Sequence, residues 1–156
     1  MLDNLQTLIR NLRTFDLAKE QEQIVVENKD ALADLQAEQW GETSKDYAGR
    51  DIKLLDNPGG TYRPFTIEKK KSEGIGLGSV TNRITLFQTG ALYKELFATI
   101  SNGKFKLTSS VPYFNTLMRR TGDVTGLDYD QRLKFAETFV RPGIKTALKE
   151  KVGISF

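Results

Sequence analysis

The stretch Ala91–Thr108, ALYKELFATISNGKFKLT, decides the fold class. At its centre Ser101, Asn102 and Gly103 form a strong turn signal, because Asn and Gly tolerate the left-handed backbone that tight hairpins require. Beyond the turn, Phe105 and Leu107 alternate with Lys104, Lys106 and Thr108, the period of a half-buried strand. Ahead of it, Leu92, Leu96 and Ile100 match the helical period, and Ala91–Ile100 stays open between helix and strand. A strand here, with helical patterns on either side, predicts an α+β fold.

Working outward toward the N-terminus, Arg83–Phe87 reads as a short β-rich run that Gly90 ends. Gly74, Gly76 and Gly78 follow the lysines Lys69, Lys70 and Lys71. Thr61–Ile67 alternates aromatic and polar residues around Pro64, which suits an edge strand or an extended arm. Gly41–Gly60 is a loop that closes on Asn57, Pro58, Gly59 and Gly60. Leu2, Leu5, Leu8, Ile9, Leu12 and Phe15 mark a first amphipathic helix, with Asp3 suited to its first turn. From Leu17 through Leu35 an apolar stripe interleaved with Glu20, Glu22, Glu27 and Glu38 predicts helix to about Trp40.

Toward the C-terminus, Phe114, Leu117 and Met118 give Pro112–Arg120 a short helix that Gly122 and Gly126 end. Pro142 opens a C-terminal helix with Ile144, Leu148 and Val152 on one face. The expected organisation is one domain: an N-terminal helical segment over 1–40, an extended loop or arm over 41–82, and an α+β core over 83–156. No internal repeat is visible.

Composition bounds the chemistry. In 156 residues, 38% apolar and 28% charged, there is material for one real core. Cysteine is absent, which removes disulfides, thiolate nucleophiles and zinc-thiolate sites and fits assembly in a reducing cytoplasm. Histidine is absent too, which removes the commonest general base and metal ligand. No catalytic residue, cofactor or metal is expected. Met1–Phe15 lacks the unbroken apolar run of a signal peptide, and no segment approaches the roughly 20 apolar residues of a membrane span, so no membrane partner is expected. Residues 1–50 hold 6 Lys/Arg against 10 Asp/Glu, and residues 51–156 hold 17 against 10. A chain with acidic and basic halves suits stacking on copies of itself or proximity to nucleic acid.

Three patterns invite a chemical reading. The spaced glycines at 74, 76 and 78 resemble a phosphate loop, but no Lys-Ser/Thr follows and Ser79 stands where a dinucleotide fingerprint has its third glycine. They read as a loop needing unusual backbone angles. Lys69, Lys70 and Lys71 beside Tyr62, Arg63 and Phe65 combine cations with aromatic faces, as do Arg119 and Arg120 further on. These are the candidate partner-binding residues, against the plainer reading of a solvated charge run flanked by Glu68 and Glu73. Asp123, Asp128 and Asp130 lack the order of a calcium loop and read as helix caps and turn formers.

The order of signals in the C-terminal two-thirds resembles the tail-completion and head–tail joining proteins of tailed bacteriophages. Leu86, Thr89, Gly90, Leu92 and Tyr93 look like that group's Leu-x-x-Thr-Gly-x-Leu element. A strand with a tight turn follows, then Val111, Pro112 and Tyr113 in a Tyr-containing segment, and Gly122 after a short helix. Phe139, Val140, Arg141 and Pro142 resemble the group's Phe-Leu-x-Pro entry into a last helix, and Tyr62, Pro64, Phe65, Thr66 and Lys70 resemble its variable loop. Gln88 and Gly143 depart from the pattern, and Asp123–Glu137 is longer than the simplest members need.

The resemblance implies about four antiparallel strands packed on two helices and a subunit that forms a ring at the head–tail junction, as a neck, tail-completion or tail-terminator protein. Its implied partners are copies of itself, other neck, portal or tail proteins and, nearby, packaged DNA. Its implied location is the virion, assembled in the host cytoplasm. Tyr93 and Tyr113 are expected as core or interface anchors. The alternative function is a nucleic-acid-binding module using the basic C-terminal half.

Overall fold

A computed structural model describes residues 2–154, with side-chain surroundings from Leu5 onward. The side chains of Leu2 and Asp3, placed above on the first helix, lie outside the described set. The chain forms two compact units: one joins residues 1–28 to 134–156, and the other spans 29–133.

The first unit is helical. Helices α1 (Leu2–Thr14) and α2 (Leu17–Glu27) are joined by Asp16, whose carboxylate accepts the Lys19 amide and caps α2. Asn28 ends α2, both its amides bonding back into the last turn. The C-terminal part follows α7 (Tyr129–Phe135) with a wider π-type turn at Ala136–Val140, then α8 (Arg141–Ala147) and a second π-type turn at Leu148–Val152. Pro142 stands in the first turn of α8, and the widened turn ahead of it absorbs the hydrogen bond that proline cannot make. Helix α8 packs on α2 so closely that a Cβ on Gly143 would lie 2.7 Å from the Ile24 side chain. Lys151 pairs with Glu20, and the Phe135 and Phe139 rings pack at a tilt with centroids 5.1 Å apart. Helix α1 half-buries Leu8 and leaves Leu5, Ile9 and Leu12 exposed, and Phe15, just beyond its end, is half-buried.

This unit takes the acidic N-terminal segment together with a basic C-terminal one. Residues 1–28 carry −2 and residues 134–156 carry +3, so the unit's formal charge is +1 and that of residues 29–133 is +2. The contrast between sequence halves is therefore largely balanced within each unit, with Glu20 and Lys151 as one such pair.

The second unit contains α3 (Lys29–Glu38), α4 (Pro64–Glu73), α5 (Ala91–Lys94), β1 (Leu96–Ser101), β2 (Lys104–Ser109) and α6 (Phe114–Thr121). The open stretch Ala91–Ile100 proves to be both: one helical turn that Glu95 ends, then a strand. The hairpin turn sits at Asn102 and Gly103, both at positive φ, with Ser101 facing Lys104 and Ala98 facing Leu107. Helix α3 packs on β1, burying Leu32 and Leu35 with Leu96, Ala98 and Leu107 in the core.

The class is α+β, as expected, but the described residues hold two strands and not about four. The physical reason lies at Arg83–Phe87. Its backbone groups are taken by side chains: the Thr85 amide donates to the Tyr62 hydroxyl, the Thr85 carbonyl accepts from the Tyr93 hydroxyl, and the Phe87 carbonyl accepts from Lys70. Leu86 turns to φ 56°, which ends any extended run. A β-rich composition thus became an irregular segment tied down by side chains, with no strand beside it. The expected extended arm over 41–82 also differs, because it contains α4. Pro64 occupies the first helical turn, where its fixed φ and missing amide suit a helix start.

Candidate functional site: a groove beside helix α4

Four buried or half-buried apolar side chains, Leu54, Ile84, Leu86 and Leu117, form the floor of a groove of about 490 Å³ in the second unit. Tyr62, Phe65, Thr66, Lys69, Lys70 and Glu73 line one wall; Phe87, Gln88 and Thr89 line the next; Tyr113 and Arg120 close the other side. Local sequence explains each wall. Helix α4 presents Phe65 and Lys69 four residues apart, hence on one face. Gly90, at φ 83°, opens α5 and lies so near the Phe87 ring that a Cβ there would approach it to 3.1 Å. Gly122 ends α6 at φ 78°, directly after the last turn that carries Arg119 and Arg120.

Lys70 organises the groove from inside. Only 5% exposed, it donates from Nζ to the Gly78 carbonyl at 3.1 Å and the Phe87 carbonyl at 2.9 Å, and lies 4.8 Å from the centroid of the Tyr62 ring. Burial holds its ammonium below the usual lysine range. Helix α4 ends beside it, and a Cβ on Gly74 would sit 2.3 Å from the Lys70 carbonyl and 2.4 Å from that of Gly78, so this crossing excludes any side chain. The spaced glycines serve a lysine tie: Gly74 leaves no room for a side chain, and Gly76, at φ 57°, takes a backbone angle that favours glycine.

Two tyrosines fix the wall behind it. Tyr62 and Tyr93 both bond Thr85, and Tyr93 stands edge-on to Phe87 at 5.1 Å and tilted to Trp40 at 6.2 Å. Burial, with Tyr62 next to it, pushes the Tyr93 phenol above the ordinary tyrosine range. Trp40, fully buried, donates to the Val124 carbonyl at 3.2 Å. Gln39 bridges the carbonyls of Lys45 and Gly126 and accepts the Asp128 amide, while Gln36 accepts the Gly126 amide at 2.6 Å.

At the mouth, Arg120 Nε and Arg63 Nη2 both point at one oxygen, Asp56 Oδ2, at 2.9 and 3.5 Å. The Arg120 hydrogen bond holds the Asp56 carboxyl below the usual carboxylate range, against a smaller opposing effect of desolvation. Lys69 faces Glu73 at 3.8 Å. The rim and inner wall thus carry Arg63, Lys69, Lys70 and Arg120 against Asp56 and Glu73, an excess of two positive charges.

The sequence-singled residues fare differently. Tyr62, Phe65, Lys69, Lys70, Leu86, Thr89, Tyr113 and Arg120 come together at the groove, and Arg63 joins them through Asp56. Lys70 is turned inward, while Lys71 and Arg119 are exposed and do not line it. Tyr93 and Leu92 belong to the interior behind it; Tyr113 is 48% exposed and stands at the surface. Pro142 lies in the other unit. Sequence reasoning missed Asp56, Gln36 and Gln39; the last two sit among helical apolar residues, one turn apart on the face that holds Leu32 and Leu35. Asp128 caps α7 by accepting the Gln131 amide, and Asp123 holds Thr125 in a turn, as their capping reading expected. No group of metal-ligating side chains occurs among the described residues, and no helix there is long and apolar enough to cross a membrane.

Compared with models of protein families, with curated proteins and with solved structures, the chain matches none of them.

Proposed function

We propose that this chain is a structural subunit of a tailed-phage virion, assembling as a ring at the head–tail junction, and that the groove beside α4 is a surface on which a neighbouring subunit docks. The observation that carries the reading is the convergence at one groove of motif residues (Leu86, Thr89, Tyr113) and candidate contact residues (Tyr62, Phe65, Lys69, Arg120). Phe65 is 75% exposed over an apolar floor, a poor arrangement for an isolated surface and a good anchor for an interface. A ring needs only shape and complementary charge at such contacts.

The alternative, a nucleic-acid-binding module, draws on exposed Lys71 and Arg119. Lys69 and Arg63 have carboxylate partners that repel phosphate along a strand, and Lys70 faces inward, which favours a protein neighbour. Mass spectrometry of purified particles, with gold labelling of a tagged chain in electron micrographs, tests the proposal. The chain is expected in stoichiometric amounts at the neck; particles that lack it, or DNA affinity by a monomer that collapses steeply with salt, would contradict it.

A further inference from the structure

The charge and shape of the groove specify its occupant more narrowly. Asp56 spends one oxygen, Oδ2, on both arginines, and Arg120 reaches it through Nε, which leaves the Nη edge of that guanidinium without a hydrogen-bond partner among the described residues. Arginine's fork is suited to a second, bidentate carboxylate on that edge. Next to it lies the apolar floor with Phe65 and Tyr113 above. Lys70 adds a buried positive charge in the inner wall with no carboxylate bonded to it.

We infer that the groove binds an extended segment of a partner protein in which a bulky apolar side chain is followed closely by a carboxylate. The apolar group fills the space over Leu86 and Leu117 beneath Phe65, and the carboxylate takes the Nη edge of Arg120. The excess of two positive charges favours an acidic segment over a neutral one. A nucleic-acid strand fits less well, because Glu73 lines the groove and the Asp56 carboxylate lies beside Arg120, so a run of phosphates would meet two negative charges. This inference deepens the docking role proposed above, yet its test uses purified chain alone. It can fail while the virion reading stands, and the reverse.

The test is fluorescence anisotropy with the full chain and three labelled, end-blocked peptides: one alternating Phe and Leu with Glu, one with Gln for Glu, and one with Ala for Phe. An oligothymidylate serves as the nucleic-acid probe. The Glu peptide is expected to bind about tenfold more tightly than the Gln peptide, the worth of one charge-assisted fork, and the Ala peptide is expected not to bind. Arg120→Gln should abolish the difference between Glu and Gln peptides, and Arg120→Lys should restore only part of it. Thermal unfolding of both variants monitors the fold, since Arg63 still holds Asp56. Equal binding of Glu and Gln peptides, equal weakening of both by Arg120→Gln, or tighter binding of the oligothymidylate would each overturn the inference.

Discussion

The two units of this chain are held together by different chemistry. Residues 1–28 and 134–156 pack helix on helix, through Ile24 against Gly143 and Phe135 against Phe139, with Lys151 and Glu20 closing the wet side. Residues 29–133 pair few backbone groups in a sheet and instead tie long stretches of irregular chain to side chains. Trp40, Gln36 and Gln39 hold 124–128, and Tyr62, Lys70 and Tyr93 hold 78–87. The first unit tolerates change wherever volume is kept. In the second, one side chain often satisfies several buried backbone groups, and its removal strands them all.

That contrast can be broken by substitution. The largest effect is expected from Trp40→Ala, which empties a fully buried site and orphans the Val124 carbonyl. It should destabilise the 29–133 unit by about 4 kcal/mol in urea unfolding. A loss under about 1 kcal/mol would mean the tie does not organise that unit.

Next is Lys70→Met, which keeps the stem and removes the ammonium from the Gly78 and Phe87 carbonyls. A loss of about 2 kcal/mol at neutral pH is expected from two stranded acceptors, less the relief of burying a charge. The pH dependence has a definite sign. Because the folded lysine holds its proton less tightly than an unfolded one, whose value is 10.5, the unfolded chain binds more protons as pH rises toward that range. The Lys70 contribution therefore moves in favour of the fold with rising pH, so the wild type should gain stability relative to Lys70→Met between neutral pH and about pH 10. A gap that stays constant or narrows contradicts the buried, charged tie.

The smallest of these effects tests the first unit. Gly143→Ala puts a Cβ within 2.7 Å of Ile24, and overpacking outweighs the gain in helix propensity. A net loss of about 1 kcal/mol is expected, and the double variant with Ile24→Val should recover most of it. A stabilised Gly143→Ala would show that the two helices have room to move apart.

The difference between units also explains what was legible in the sequence. Helical periodicity reports packing directly, so α1, α6 and the C-terminal helix were readable, as was the Asn102-Gly103 hairpin, whereas the single helix expected from Leu17 to about Trp40 breaks at Asn28 into α2 and α3. Long-range ties from side chain to backbone leave no period. Nothing local to Arg83–Phe87 announces that residues 62, 70 and 93 will occupy its backbone in place of a strand. One signal was available: a helix beginning at Pro64 sets Thr66, Ile67 and Lys70 on a common face, which singles out the middle lysine as the inward one. Tyr62, Phe65, Lys69, Leu86, Thr89, Tyr113 and Arg120 stood out in the sequence, but the apolar floor of Leu54 and Ile84 and the pairing of Arg63 with Arg120 on Asp56 needed the fold.

Phe65→Ala tests the central claim most directly, because this ring is 75% exposed over the groove and supports little of the fold. Its unfolding midpoint should stay within about 0.5 kcal/mol of the wild type, while incorporation of the variant chain into particles, measured by complementation and mass spectrometry, should fall at least tenfold. Unchanged incorporation with an unchanged midpoint would show that the groove beside α4 is not a docking surface.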